Sequence, residues 1–451
     1  MTNCTTNPHS IHRYLFLYAL IGVLMAFLLT AATARAQEKA ITLKETLQLG
    51  LANSKELKLA GAKIEQAVER YNQAKDEALP TGNASFGYNR AQIPANRLQF
   101  GEESLSLPKS ANAYLGILSL NQVIFAGNKL KYARKSTELL TQASRLDESK
   151  DRTRIAYSII SSYYNLYKVL QGIKVVEQNV ASLNQQIKQS QRFFDQGIVT
   201  KNDVLQFQLQ KANVELNGIE LENNRRIVNY NLNILLGLPE ATQLKIDDVE
   251  KVDKPVSLLS AYIDTALNTR PELMQADLQA KVADANIGTI KANTMPNLAA
   301  GASAYYVDVS ANPIPRAGNY ITPISIGLTA SWNFGALWSN KHKVAEAKIE
   351  RKEADISKSI TADMIKNEVN QNYQNYIAAL DKIKLLQTAI AQAGENNKIL
   401  ESKYRSNIAS AVERADSQTL LYQAQINLEL AKADAGLAYY TLLKSTGKLI
   451  N

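Results

Sequence analysis

The chain has 451 residues and a formal charge of +9, from 51 Lys+Arg against 42 Asp+Glu, with one cysteine and three histidines. So few soft or imidazole donors leave almost no room for a histidine-built zinc or copper site or for nucleophile–histidine catalysis. The basic excess is spread at helical spacing without a block interleaved with aromatics, which describes solvated helix faces rather than a nucleic-acid surface.

The chain opens with an address label. His12 and Arg13 precede an apolar run over residues 14–29, and Ala34-Arg35-Ala36 supplies a small-x-small cleavage site, so residues 1–36 read as a signal peptide and Gln37 as the first mature residue. Cys4 leaves with that segment, His342 is the histidine that stays, and losing Arg13 and Arg35 without any acid takes the charge from +9 to +7. The mature chain is expected to be exported, without disulfide, thiolate, lipid-bearing cysteine or cofactor. Nothing after the signal reaches the roughly 20 apolar residues that a transmembrane helix needs.

A medium helix is expected over residues 41–79, ending at Pro80. Ala84, Phe86 and Tyr88 then alternate with Ser85, Gly87 and Asn89 as a strand, and residues 114–124 form a weaker one across a loop over 92–110. None of the 11 prolines lies between Lys109 and Leu238. Since proline inside a helix costs about 3 kcal/mol, a very long helix follows, over about 127–194. Its stripe is Ile155, Ile159, Tyr163, Leu166, Leu170 and Ile173. At 1.5 Å per residue it would be on the order of 100 Å long. A tight turn and a medium helix over 200–236 complete this set.

The same order then recurs. A medium helix is expected over 257–294, restarting at Pro271, then a weak strand over 298–307, a loop over 308–320 and a strand over 321–332. In that last strand Ile324, Ile326, Leu328, Ala330 and Trp332 alternate with Ser325, Gly327, Thr329 and Ser331. A second proline-free stretch carries the stripe Ile356, Ile360, Met364, Val369, Tyr373, Tyr376, Leu380 and Ile383, and a helix over 410–445 closes the chain. Glu56-Leu57 returns as Glu272-Leu273 and Pro80 as Pro296, an offset of 216 (272 − 56). Phe194-Asp195-Gln196-Gly197-Ile198 returns as Tyr404-Arg405-Ser406-Asn407-Ile408, an offset of 210 (404 − 194). The chain reads as a tandem duplication, with repeats over 37–240 and 257–451 and a linker over 241–256.

Alternating strands of about ten residues suit a membrane β-barrel. Trp332, Trp338, Phe125 and Phe334 fall where strands meet the long helices, as in an interfacial aromatic belt. Four strands cannot close a barrel in lipid, so several chains must pool theirs, and three would supply twelve.

At this point the whole mature sequence resembles the TolC-like outer-membrane efflux proteins. The resemblance rests on Phe194-x-x-Gly197-Ile198-Val199-Thr200-x-x-Asp203-Val204-Leu205, on its counterpart over 404–415, on Arg270-Pro271-Glu272-Leu273 and on the duplication. It implies a mainly α fold with a small β part. A long α-helical barrel, the periplasmic tunnel, would join a transmembrane β-barrel of four strands per chain, twelve in a homotrimer. It also implies docking of the periplasmic tips (Gly197, Ile198, Val199, Thr200, Asn407, Ile408, Ala409, Ser410) to a periplasmic adaptor, an inner-membrane pump as further partner, an outer-membrane lipid setting and no chemistry of its own. Two positions depart from the family pattern: Asn407 replaces glycine at the second tip, and Ala415 replaces leucine.

The tips carry the candidate gate. Thr200-x-x-Asp203 and Ser410-x-x-Glu413 are both capping boxes. Asp416 lies one turn beyond Glu413 on the same face, and its counterpart in the first repeat is Gln206. An acid present in one repeat alone suggests a task beyond folding the turn. In a threefold assembly Glu413 and Asp416 would form carboxylate rings that attract cations, and like charges held close raise one another's pKa. Arg405 and Arg414 would pair with these acids or with Asp195, or form surface pairs of no functional weight. A soluble periplasmic coiled-coil or adaptor protein is the competing reading.

Overall fold

The computed structural model describes residues 38–92, 94, 97–106, 109–246, 256–311 and 320–450. The expected signal peptide lies outside the described residues, as do the greater part of the expected linker and the tip of the 308–320 loop. In chain order the elements are β1 (Glu38–Ala40), α1 (Leu43–Asn53), α2 (Lys55–Asp76), β2 (Thr81–Gln92), β3 (Arg97–Phe100), β4 (Glu103–Ser106), β5 (Ser110–Ala126), α3 (Lys129–Asp195), α4 (Lys201–Leu236) and β6 (Gln243–Lys245). They continue with α5 (Leu259–Thr269), α6 (Pro271–Ala292), β7 (Asn297–Ala311), β8 (Ile324–Ser331), α7 (Ala336–Ser339), α8 (Lys341–Arg405) and α9 (Ala411–Ser445).

The two long helices have 67 and 65 residues, as their lack of proline demands. Among the described residues no helix is long and apolar enough to cross a membrane. The first medium helix is broken rather than continuous: Ser54 leaves the helical region at φ −59, ψ 116, and α2 starts afresh at Lys55. Asn53 reaches across to donate to the Leu236 carbonyl at 2.7 Å.

The described residues fall into two compact units. One comprises Glu56–Arg152 and Tyr262–Glu368 and contains a four-stranded antiparallel sheet in the order β2-β5-β7-β8. The strands that alternate poorly in sequence are its long centre, β5 with 17 residues and β7 with 15. They pair from Ala111 opposite Ala311 to Ala126 opposite Asn297, with one irregularity between Val123 and Phe125. The most regular alternation gives an edge strand of only 8 residues, exposed along its whole length. β7 spreads small residues over both faces (Ala299, Ala300, Gly301, Ala302, Ser303, Ala304), so pairing on both sides carries no period-2 signal. A hairpin, β3–β4, turns at Gly101 with φ +66 inside the stretch read as loop.

The other unit comprises the described parts of Met1–Lys55, Thr153–Ala261 and Val369–Asn451. Its core follows the expected α3 stripe, with Ile159 and Leu166 at 0% exposure and Tyr163 at 2%. Close approach is bought by glycine at Gly436, where a Cβ would collide with the Tyr164 ring. The stretch read as a linker opens with β6, which pairs in parallel with β1. Asn229 holds it, donating to the Thr242 carbonyl at 2.7 Å and accepting from the Leu244 N–H at 2.9 Å.

The α8 stripe needs correction. Val369 and Tyr376 are buried, but Ile356, Ile360 and Met364 are at least half exposed, because no described element covers that face of the helix. Ile349, one heptad before Ile356, is equally bare.

Candidate functional site

Both hairpin tips lie in the helical unit and are built alike. The chain leaves α3 through Gly197 at φ 72 and α8 through Asn407 at φ 59. At each tip a paired set of backbone bonds closes the helix: Gly197 N–H to Phe194 O with Ile198 N–H to Phe193 O, and Asn407 N–H to Tyr404 O with Ile408 N–H to Lys403 O. Asparagine tolerates the left-handed region better than other side chains, which is why the turn survives the loss of glycine. Both capping boxes form. The Thr200 N–H donates to the Asp203 carboxylate at 2.8 Å, and the Ser410 N–H donates to that of Glu413 at 2.8 Å.

One cluster joins the tips. Phe207, Tyr404, Ala409 and Ala411 are buried together, with Ile187, Phe193, Leu400 and Ala415 packed around them. The Phe207 and Tyr404 rings meet edge-on at 5.7 Å. The Tyr404 hydroxyl donates to Ser190 Oγ at 3.1 Å, and burial pushes its pKa up. The Ala415 carbonyl accepts from Gln210 Nε2 at 2.9 Å. Of the expected docking residues, Ile408 and Ile198 are exposed while Ala409 turns inward.

Glu413 and Asp416 are both exposed, one turn apart on α9, while Arg414 and Ser417 on the adjoining face are buried. The Ser410 N–H and hydroxyl hold the Glu413 carboxyl below its ordinary pKa. Arg405 forms a surface pair and Arg414 a buried one. Arg405 binds Glu401 at 2.6 Å, one turn back on α8. Arg414 is no surface residue: it is 4% exposed, donates to Asn397 Oδ1 and to Ser417 Oγ, and lies 3.6 Å from Glu401. Burial pulls its pKa down. Neither pairs with Glu413, Asp416 or Asp195; the Asp195 carboxylate instead accepts from Gln191 at 2.8 Å. Sequence reasoning missed Asn397, which no local motif marks and which meets Arg414 only through the packing of α8 against α9.

In the sheet unit, Trp332, Phe334 and Trp338 form a run of rings 6.3 and 6.1 Å apart, all more than half exposed. Trp332 Nε1 donates to the Thr294 carbonyl at 3.0 Å. Phe125, also exposed, lies opposite Leu298 in the sheet register.

Paired long helical hairpins and an antiparallel sheet with an exposed apolar edge are the parts of an outer-membrane channel protein. Residues 46–238 and again 262–448 match the family of outer membrane efflux proteins. The chain is 23% identical over 393 residues to the toluene efflux pump outer membrane protein TtgC of Pseudomonas putida, covering 85% of this chain and 78% of that one. It is 22% identical over 427 residues to outer membrane protein TolC of Escherichia coli, covering 92% and 83%. The crystal structure of the outer membrane protein VceC of Vibrio cholerae superposes with a TM-score of 0.75 at 16% identity, covering 90% and 96%. The chain belongs to the outer membrane efflux protein family. It is an outer-membrane channel component with the TolC-like fold, a helical tunnel joined to a β-barrel.

Proposed function

We propose that three copies of this chain pool their strands into a twelve-stranded barrel and serve as a passive exit duct, with no chemistry of its own, for cargo delivered by a periplasmic adaptor and an inner-membrane pump. The observation that carries this reading is the open sheet: among the described residues β2 and β8 each lack a partner on one side. Bare strand edges are untenable in lipid. The exposed α8 run of Ile349, Ile356, Ile360 and Met364 supports further burial against a neighbouring chain. Glu413 and Asp416, exposed among the described residues, support a carboxylate-lined mouth. Ile198 and Ile408 offer apolar tips to an adaptor.

The test is conductance of the purified protein in a planar bilayer, with reversal potential under a salt gradient. Stable cation-selective steps are expected, and E413Q/D416N should lose much of the selectivity. Unchanged selectivity in that variant would remove the gate assignment. A water-soluble, non-conducting protein would remove the duct itself.

A further inference from the structure

The sheet unit carries a basic cluster beneath its aromatic run. Strand ends locate it: Ala126 at the end of β5 pairs with Asn297, and Asn297 pairs with Ser331 at the end of β8, so both strands finish on one row. Both long helices begin just beyond that row and seat on the last turns of α6. Tyr132 of α3 fills the space left by Gly288, and Asn340, ahead of α8, donates to the Ile290 carbonyl at 2.6 Å. Lys129, Lys131 and Arg134 of α3, Lys341 and Lys343 of α8, and Lys291 of α6 are therefore gathered at one end of the sheet, and all six are exposed.

Among the described residues none of the six has a carboxylate within ion-pair distance. The acids at this end are few. Glu138 is occupied by Lys135 at 3.0 Å, and Asp76, Glu77 and Glu346 are exposed without an ion pair among the described residues. The first turns of both long helices contain no acid, so their lysines sit where the helix dipole disfavours positive charge. Helices α1, α4, α6 and α9 keep the opposite habit, with Glu45, Asp203, Glu272 and Glu413 in their first turns. Among the described residues no ion pair compensates the lysines, and the rings of Phe125, Trp332, Phe334 and Trp338 at the same end favour the lipid headgroup zone.

We infer that this cluster binds the anionic headgroups of phospholipids in the periplasm-facing leaflet, the ammonium groups meeting lipid phosphate while the rings lie against the glycerol and upper acyl chains. The leaflet follows from the end of the sheet at which the tunnel helices begin. The inference rests on the aromatic run marking the membrane interface. A juxtamembrane cluster of this kind favours anionic over zwitterionic surfaces.

The chain carries its own reporter. It has 2 tryptophans, Trp332 and Trp338, both in the aromatic run. The full-length protein is reconstituted in mixed bilayers containing either chain-brominated phosphatidylglycerol or chain-brominated phosphatidylethanolamine, and quenching of tryptophan fluorescence gives relative binding constants. The anionic phosphatidylglycerol should be preferred by about fivefold or more. The preference should approach unity in K129Q/K131Q/K341Q/K343Q and at about 0.5 M salt. The control K174Q/K188Q/K382Q/K398Q, exposed lysines of the helical unit, should keep it. If the quadruple variant fails to assemble, K129Q/K131Q and K341Q/K343Q carry the test separately, each expected to reduce the preference. Equal quenching of the wild-type chain by both lipids would overturn the lipid assignment, leave the interface reading intact and point the cluster to an acidic protein partner. Quenching by neither lipid would overturn the interface reading and the inference with it.

Discussion

Replacing Arg414 by methionine should loosen the second hairpin tip. The guanidinium is 4% exposed and bridges the hairpin, donating from α9 to Asn397 on α8 and, at 3.4 Å, to Ser417. Its nearest carboxylate, Glu401, keeps Arg405 at 2.6 Å and so is not orphaned. Ser417 keeps its bond to the Arg414 carbonyl at 2.8 Å. The loss is therefore one charge-assisted hydrogen bond, about 1.5–3 kcal/mol, to a half-buried Asn397 oxygen that keeps only a long contact from Ser417 Oγ at 3.5 Å. Relief of the desolvation that lowers the arginine pKa offsets part of this. A net cost of about 2 kcal/mol corresponds to roughly 30-fold more frequent opening. Hydrogen exchange measured by mass spectrometry on the detergent-purified protein reads this directly, in peptides over residues 397–420 with those over 187–207 as the internal comparison. A change below about threefold in R414M would refute the bridge. So would a double-mutant cycle in which N397A and R414M add without coupling.

Four further outcomes follow from the same geometry. Y404F and S190A should each speed tip opening about fivefold, the equivalent of about 1 kcal/mol per hydrogen bond, and the double variant should be no worse than either single one. Alanine at Asn407, φ 59, should cost about 1 kcal/mol in tip stability while N407G is neutral, as chemical denaturation can check. G436A forces a methyl group into the Tyr164 ring and should destabilise the helical unit by about 1–3 kcal/mol, read as a lower urea midpoint. Glu413 is depressed by its cap, so its stabilisation is complete above the unfolded carboxylate value of about 4.3 and fades as pH falls through the lower folded value. Tip protection should stay flat from neutrality to that point and then decline, and E413Q should abolish the dependence. A rise in protection as the pH falls, beginning well above that point, would mean that repulsion between acids of neighbouring chains dominates.

Features with a local chemical signature were legible before the structure. Proline-free runs gave the two long helices, Gly197 and Asn407 gave the left-handed turns, and the S/T-x-x-D/E spacings gave both caps. Features set by pairing at a distance were not. The break at Ser54 has no proline of its own, yet its position is Arg270 less the repeat offset of 216 (270 − 54), so the duplication held the signal that local composition lacked. The β1–β6 pair joins Glu38–Ala40 to Gln243–Lys245, three-residue strands too short for any periodicity. The exposure of Ile356, Ile360 and Met364 could not be foreseen from spacing, which says that a stripe exists and not which part its own chain covers. Arg414 read as a surface charge because its burial depends on the register of α8 against α9.

The bare edges of β2 and β8 have a genetic consequence. If each protomer completes its hydrogen bonds on its neighbours' strands, a lesion there is shared, and a proline in β8 deprives the adjoining chain of donors as surely as its own. With altered and normal chains made in equal amounts and mixed at random, only about one eighth of three-membered rings would be wholly normal. Edge-strand alleles should therefore act dominantly in a merodiploid, whereas G436A, whose damage is confined to its own helices, should be recessive.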